Sequence, residues 1–294
     1  MVLLDGKLVS QNIKAILKNK VAAGAARGLR KPHLAAVIVG NDAASRYYIQ
    51  SKIRSCAEAD FDASLVELPD TVTLPQLILE IEKLNKNPNI DGYIVQLPLP
   101  KHIDEATIIN AIDPSKDVDG FHPINQGKLA LNQPTFIAAT PKGVLSLLEY
   151  YNIKTKGKHA VVLGRSHIVG MPIAQLLSQN RPQGNCTVTL CHSHTKDLKS
   201  ITQQADLLIA AIGKPCFVTE DMLRQGAVVI DVGINRVPDN LSKSGYKLVG
   251  DVDFEHVKNK CSYITPVPGG VGLMTVASLM QNTMQAWEQR HAQQ

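Results

Sequence analysis

The stretch VVLGRSHIVGMP (161–172) decides the fold. Strand-type apolar residues run into Gly164, a short turn follows, and Gly170 stands ahead of a helical stretch. Glycine at the first position lets the chain turn tightly, and at the second it lets the backbone approach a pyrophosphate. The helix N-terminus then offers unpaired N–H groups and a positive dipole end. One glycine of the usual GxGxxG is missing, so spacing alone fits either a dinucleotide-binding turn or a plain strand-to-helix turn. The next strand narrows the ligand. TVTLCHSHTK (187–196) ends on His192, Ser193, His194 and Lys196, with no carboxylate to hold a ribose 2′-hydroxyl. Together with Arg165 these groups suit a 2′-phosphate, which favours NADP over NAD; the competing reading is a solvated polar turn.

Working outward, HAVVLG (159–164) is followed by CTVTLC (186–191), DLLIAAIG (206–213) and AVVIDVG (227–233), alternating with helical stretches. The first half repeats this rhythm in LAAVIVG (34–40), ASLVEL (63–68) and GYIVQL (92–97), separated by helices near 43–60 and 74–86. Alternation of this kind predicts an α/β protein with parallel sheets covered by helices on both faces. A helix over 7–26 opens the chain. Another, over about 271–290, has no strand after it and is expected to pack back on the first domain, making that domain discontinuous. Between 113 and 140 the periodicity dissolves into a segment rich in Asp, Gly, Pro and Asn, the kind of long ordered loop that carries function.

Composition excludes several function classes. The 294 residues contain 31 Lys and Arg against 26 Asp and Glu, a net charge of +5 without blocks of like charge, and only 4% aromatics. That argues against a nucleic-acid partner while suiting an anionic small molecule. Five cysteines form no CxxC pair, so they read as reduced thiols, and no ligand cluster suggests a metal. The N-terminal MVLLDGKLVSQ carries no apolar or Arg-rich leader and no run reaches transmembrane length, which predicts a cytoplasmic protein.

In NDAASRYYIQSKIRSCAEA (41–59), Ile49, Ile53 and Cys56 form a core-facing stripe, and Ser45, Tyr48 and Lys52 fall at i, i+3 and i+7 on an adjacent face. A lysine desolvated beside a tyrosine can exchange protons near neutral pH; a surface lysine is the plainer reading. DGYIVQLPLP (91–100) places Gln96 at a strand's carboxyl end, where its amide can orient Lys52. In KDVDGFHPIN (116–125), Asp117 or Asp119 can accept two parallel hydrogen bonds from an amino-pyrimidine edge, or can simply form a turn. ITPVPGGVGLMT (264–275) sets two prolines and three glycines before a helix, which suits a flat ligand or a domain-joining loop.

Together SRYYIQSK (45–52), DGYIVQLPLP, KDVDGFHPINQGKL (116–129), TPKG (140–143), GRSHIVGMP (164–172), GAVVIDVGINRV (226–237), GDVDF (250–254) and ITPVPGGVG (264–272) resemble the bifunctional methylenetetrahydrofolate dehydrogenase/methenyltetrahydrofolate cyclohydrolases, the FolD family. The resemblance covers nearly the whole chain. It implies an N-terminal α/β catalytic domain over 1–140 plus 271–294, binding folate, and a Rossmann-like NADP-binding domain over 141–270. It implies oxidation of 5,10-methylenetetrahydrofolate with NADP, then hydrolysis to 10-formyltetrahydrofolate in a shared cleft, by a homodimer. Lys52 matches the family's catalytic lysine, Gln96 its partner, Tyr48 the ring that stacks on folate, and Asp119 the aspartate holding the pterin edge. Ser45 is a further contact candidate, and Pro268, Gly269, Gly270 and Val271 match the loop beside folate and nicotinamide. Gly164, Arg165, Ser166, His192 and Ser193 match cofactor contacts, with Ile234 near the nicotinamide. Ala139, Cys216 and Leu273 depart from a common cysteine, glycine and proline, and His167 stands where asparagine is frequent. A monofunctional dehydrogenase, a hydroxy- or amino-acid dehydrogenase and a non-catalytic binding scaffold are the competing readings; the retained Lys52 and Gln96 argue against the first, the Tyr48, Lys52 and Asp119 set against the second, and the intact lysine against the third.

Overall fold

A computed structural model describes residues 1–239, 242 and 245–292, with Ala43 and Ala44 through their backbone alone. The chain forms two compact units, one of Gln11–Ala139 with Val276–Gln294, the other of Met1–Ser10 with Thr140–Thr275.

In the first unit a parallel three-stranded sheet places His33–Val39 between Asp62–Leu68 and Gly92–Val95. The central strand is apolar and buried along almost its whole length, as a strand covered on both faces must be, whereas the Asp62–Leu68 edge strand alternates in exposure. Helix Leu74–Lys86 starts at a Thr73/Gln76 capping box and buries Leu77, Ile81 and Leu84 against Ala35, Val37 and Tyr93. Each such side chain contributes roughly 1.5–3 kcal/mol by leaving water. At its far end Lys116 Nζ adds a second donor to two carbonyls, 2.7 Å from the Leu84 oxygen and 2.6 Å from that of Asn87, which also accept from Asn87 N and Ile90 N. The last helix, Val271–His291, returns to this unit as the sequence predicts. Asn282 Nδ2 donates to the Val118 and Ile137 carbonyls at 2.8 Å each, and Trp287 Nε1 donates to the Arg30 carbonyl at 2.9 Å.

In the second unit six parallel strands run in the order Val2–Leu3, Cys261–Ile264, Ala227–Asp231, Leu207–Ala210, His159–Leu163, Thr187–Cys191. From His159–Leu163 the chain steps outward to Thr187–Cys191, then crosses back to Leu207–Ala210. The reversal leaves a crevice beyond the carboxyl end of His159–Leu163, the position at which such sheets bind ligands.

Two features differ from the sequence-based expectation. The first ten residues group with the second unit rather than with 11–139: Val2–Leu3 pairs in parallel with Tyr263–Ile264, Leu4 N donates to the Ile264 carbonyl at 2.8 Å, and Gly6 N to that of Gly269 at 2.9 Å. A two-residue strand is too short to carry a readable period. Within 113–140, helix Pro123–Ala130 occupies part of what reads as loop, started by Pro123 in its first turn and by His122, whose Nδ1 accepts from Ile124 N at 3.1 Å.

Candidate active site

Helix Ala43–Glu58 begins at Asp42, whose carboxylate accepts from Ser45 N at 2.8 Å. Ile49 and Cys56 are buried and fix the helix on the sheet; Lys52, three residues after Ile49 and four before Cys56, lies beside that stripe half-buried, and Tyr48 is 46% exposed. Ser45 is buried, so the three polar residues aligned in sequence do not share one exposed face. Lys52 Nζ donates to Gln96 Oε1 at 3.1 Å. Gln96 follows strand Gly92–Val95; its backbone N donates to the Val37 carbonyl at 2.9 Å and its Nε2 to the Leu97 carbonyl at 2.6 Å. With the amide nitrogen so engaged, its oxygen points to the lysine.

Burial holds Lys52 below the ordinary lysine value, while the nearby charge of Asp119 opposes the shift. The same burial pushes Asp119 up to about 6; Lys52 draws it back down, and Asp117 adds to the rise. Asp117 and Asp119 separate cleanly in role. Asp117 is buried and accepts from Phe121 N at 3.2 Å, His122 N at 2.8 Å and Asn125 Nδ2 at 2.8 Å, which organises the loop. Asp119 makes no side-chain hydrogen bond among the described residues, so its acceptor sites remain for a ligand. Gly120, at φ 72°, makes the turn that follows, where a Cβ would lie 2.7 Å from Ala138 N.

The nucleotide turn is built from backbone. Gly164 has φ 112°, and a Cβ there would collide with the Ala211 carbonyl; one on Gly170 would collide with the carbonyl of Gly164. Strand end and helix start therefore touch directly, and only glycine fits at either point. Ser166 Oγ accepts from Val169 N at 3.2 Å and Gly170 N at 3.4 Å, so it caps helix Gly170–Ser178 besides facing the crevice. Gly164, Arg165, Ser166, His192 and Ser193 all line one cavity of about 310 Å³. Its other walls come from Leu163, Cys191, Leu198, Ala211, Ile212, Lys214 and Phe217, with no carboxylate among the described lining residues.

Ile234 is not part of that cavity. It is 46% exposed and stands by Gly272, where a Cβ would lie 3.0 Å from Ile234 Cδ1. The neighbouring Pro268–Val271 loop is held by Gly269 at φ 109° and by Gly270, whose Cβ would lie 2.5 Å from the Pro266 carbonyl oxygen. Sequence reasoning missed Lys214 and Phe217, which sit together in the cavity wall with Nζ 5.5 Å from the ring centroid. A basic and an aromatic residue in GKPCF, immediately after strand Leu207–Ala210, were the available signal. Cys216 in that segment has φ 51°, a left-handed conformation that explains why glycine is common there.

The family models for the tetrahydrofolate dehydrogenase/cyclohydrolase catalytic domain and NAD(P)-binding domain match residues 4–119 and 138–291. The chain is 56% identical to the bifunctional protein FolD of Cytophaga hutchinsonii over 97% of its own length and 99% of that protein's. It is 55% identical to that of Porphyromonas gingivalis, over 97% and 96%. The crystal structure of the Campylobacter jejuni bifunctional FolD superposes with a TM-score of 0.93 at 46% identity, covering 99% of both chains. The Trypanosoma brucei dehydrogenase-cyclohydrolase, complexed with NADP and an inhibitor, superposes with a TM-score of 0.92 at 37% identity, covering 98% of both. With both halves matched in order, the chain belongs to the tetrahydrofolate dehydrogenase/cyclohydrolase family.

Proposed function

We propose that this protein oxidises 5,10-methylenetetrahydrofolate to the 5,10-methenyl compound with NADP and hydrolyses the product to 10-formyltetrahydrofolate, two steps of one-carbon metabolism. The observation that carries this reading is the bond from Lys52 to Gln96 beside the unengaged carboxylate of Asp119. Asp119 accepts paired hydrogen bonds from the amino-pyrimidine edge, and the exposed Tyr48 ring stacks on the flat part of the substrate. Ser45 is an additional substrate contact, and Pro268, Gly269, Gly270 and Val271 supply close backbone approach.

NADP, when bound, accepts the hydride, and the folate nitrogen lone pair stabilises the resulting cation. The cavity suits that cofactor: Gly164 and Ser166 cradle phosphate and Arg165, His192 and Ser193 meet the 2′-phosphate, while Ile234, outside the cavity, is the contact for the nicotinamide end. Hydrolysis needs a proton acceptor. Desolvation brings the neutral amine of Lys52 within reach, Gln96 aims it, and it takes a proton from the attacking water that the departing ring nitrogen later receives. We also propose a cytoplasmic homodimer, which sizing in solution and cell fractionation test.

NADPH formation from 5,10-methylenetetrahydrofolate, followed by absorbance beside loss of the methenyl chromophore, tests the two activities. Absence of nucleotide reduction with either NADP or NAD sinks the reading.

A further inference from the structure

Behind the nucleotide cavity lie two buried carboxylates that the proposed chemistry does not use. Asp251 is fully buried and forms no ion pair among the described residues. Its Oδ2 accepts from Ile212 N at 2.7 Å and Gly213 N at 3.0 Å, and its Oδ1 accepts from Asn235 Nδ2 at 2.9 Å. Ile212 is cavity wall, and Asn235 follows Ile234. One carboxylate therefore ties the loop after strand Leu207–Ala210 to the segment carrying Ile234.

Asp231 seats that carboxylate in turn. Its Oδ1 accepts from Asp251 N and Gly233 N and its Oδ2 from Val252 N, all at 2.9 Å. Its own backbone N donates to Thr265 Oγ1 at 2.7 Å, which joins the start of the Pro266–Gly270 segment to the same network. Gly233 and Gly250 exist for this contact: a Cβ on either would run into the Asp251 or the Asp231 carboxylate. Six N–H donors thus converge on two buried carboxyl groups, and burial still pushes that of Asp231 up to about 7; the arrangement is costly to break because a lost acceptor leaves buried N–H groups unpaired.

We propose that Asp251 is a positioning residue for the dinucleotide, holding the adenosine-side wall at Ile212–Gly213 and the nicotinamide-side segment at Ile234–Asn235 in register with one another. The inference rests on the nucleotide reading above. It assigns separable effects to the two oxygens, since Oδ2 serves one wall and Oδ1 the other.

The experiment compares Asp251→Ala, Asp251→Asn and Asn235→Ala with wild type by steady-state dehydrogenase kinetics and by calorimetric titration with 2′,5′-ADP. Asp251→Ala frees two backbone donors of the adenosine-side wall, so the KM for NADP and the 2′,5′-ADP dissociation constant rise about tenfold or more. Asp251→Asn restores most of that affinity, because its amide oxygen can still accept from Ile212 and Gly213 while Asn235 turns its own amide over. Asn235→Ala lowers kcat about threefold to tenfold and leaves 2′,5′-ADP affinity within about twofold, since it loosens only the nicotinamide-side segment. Unchanged KM and 2′,5′-ADP affinity in folded Asp251→Ala overturn the proposal. If that variant does not fold, Asn235→Ala decides, and an unaltered kcat overturns it. Wild type that binds no 2′,5′-ADP instead overturns the nucleotide reading itself.

Discussion

In the first unit the candidate chemistry rests on side chains held against their ordinary ionisation, Lys52 below it and Asp119 above it, with the Asp119 carboxyl making no hydrogen bond among the described residues. In the second unit the ligand site rests on backbone held in place by glycines, and the buried carboxylates behind it have all their nearby donors engaged. The contrast follows from what each half must do. Proton transfer needs a group whose two charge states lie close in free energy, so burial without full compensation is useful. Binding a large anion needs N–H groups aimed in advance, so rigid and fully satisfied polar groups are useful.

The contrast breaks most readily at its two extremes. Replacing Lys52 with alanine is expected to lower methenyl hydrolysis about a thousandfold while NADP still binds; a mutant with unimpaired hydrolysis removes Lys52 from the mechanism. Gly164→Val puts a branched side chain at φ 112° against the Ala211 carbonyl, and loss of about 3 kcal/mol or more of unfolding free energy, with loss of NADP binding, is the expected result in denaturant titrations. Arg165→Ala should raise the KM for NADP by about tenfold to a hundredfold and leave NAD turnover nearly unchanged, as removal of a charge-assisted phosphate bond predicts. Equal wild-type use of both nucleotides defeats the 2′-phosphate argument.

A smaller effect sharpens the comparison through pH. Asp119 titrates near 6 in the folded chain, above the ordinary carboxylate value of about 4. The protein binds its proton more tightly folded than unfolded, so the associated stability is complete below pH 4 and is lost as pH rises through 6. Asp119→Asn should therefore stabilise by about 2 kcal/mol at pH 8 and by almost nothing at pH 4, the attraction to Lys52 being already contained in the raised value. In wild type, substrate KM should climb as pH falls below 6, and Asp119→Asn should flatten that dependence; a flat wild-type profile counts against Asp119 as the pterin acceptor. Cys216→Gly should stabilise by about 1 kcal/mol, since it relieves a left-handed cysteine, and thermal unfolding measures it.

What the sequence displays and what it conceals divide along the same line. Alternating strands and helices, Gly164 and Gly170, and the carboxylate-free end of Thr187–Cys191 are local features with fixed spacing, so they read directly. The choice between Asp117 and Asp119 is not local. Both precede a turn, and only the three donors converging on Asp117 from Phe121, His122 and Asn125 reveal which one is occupied. The burial of Ser45 likewise depends on tertiary packing, which helical spacing does not encode. Asp231 and Asp251 lie twenty residues apart, in stretches that the family resemblance includes without giving either a role. Their joint purpose appears only when strand Ala227–Asp231 and the loop at 250–252 meet through hydrogen bonds. Lys214 and Phe217 were readable in principle, from their place after a strand at the sheet's reversal.

The grouping of the first ten residues with Thr140–Thr275 has a practical consequence for dissecting this chain. The polypeptide passes between its two units three times, after Ser10, after Ala139 and after Thr275. A gene fragment ending near residue 139 loses the Asn282 and Trp287 bonds that close its own unit, and one beginning near 140 loses the Val2–Leu3 edge strand. Expression of either half by a single cut leaves an open seam in each product. A separable nucleotide-binding fragment instead calls for a rearranged gene in which residues 1–10 are fused beside 140–275, a splice that preserves every strand of the six-stranded sheet.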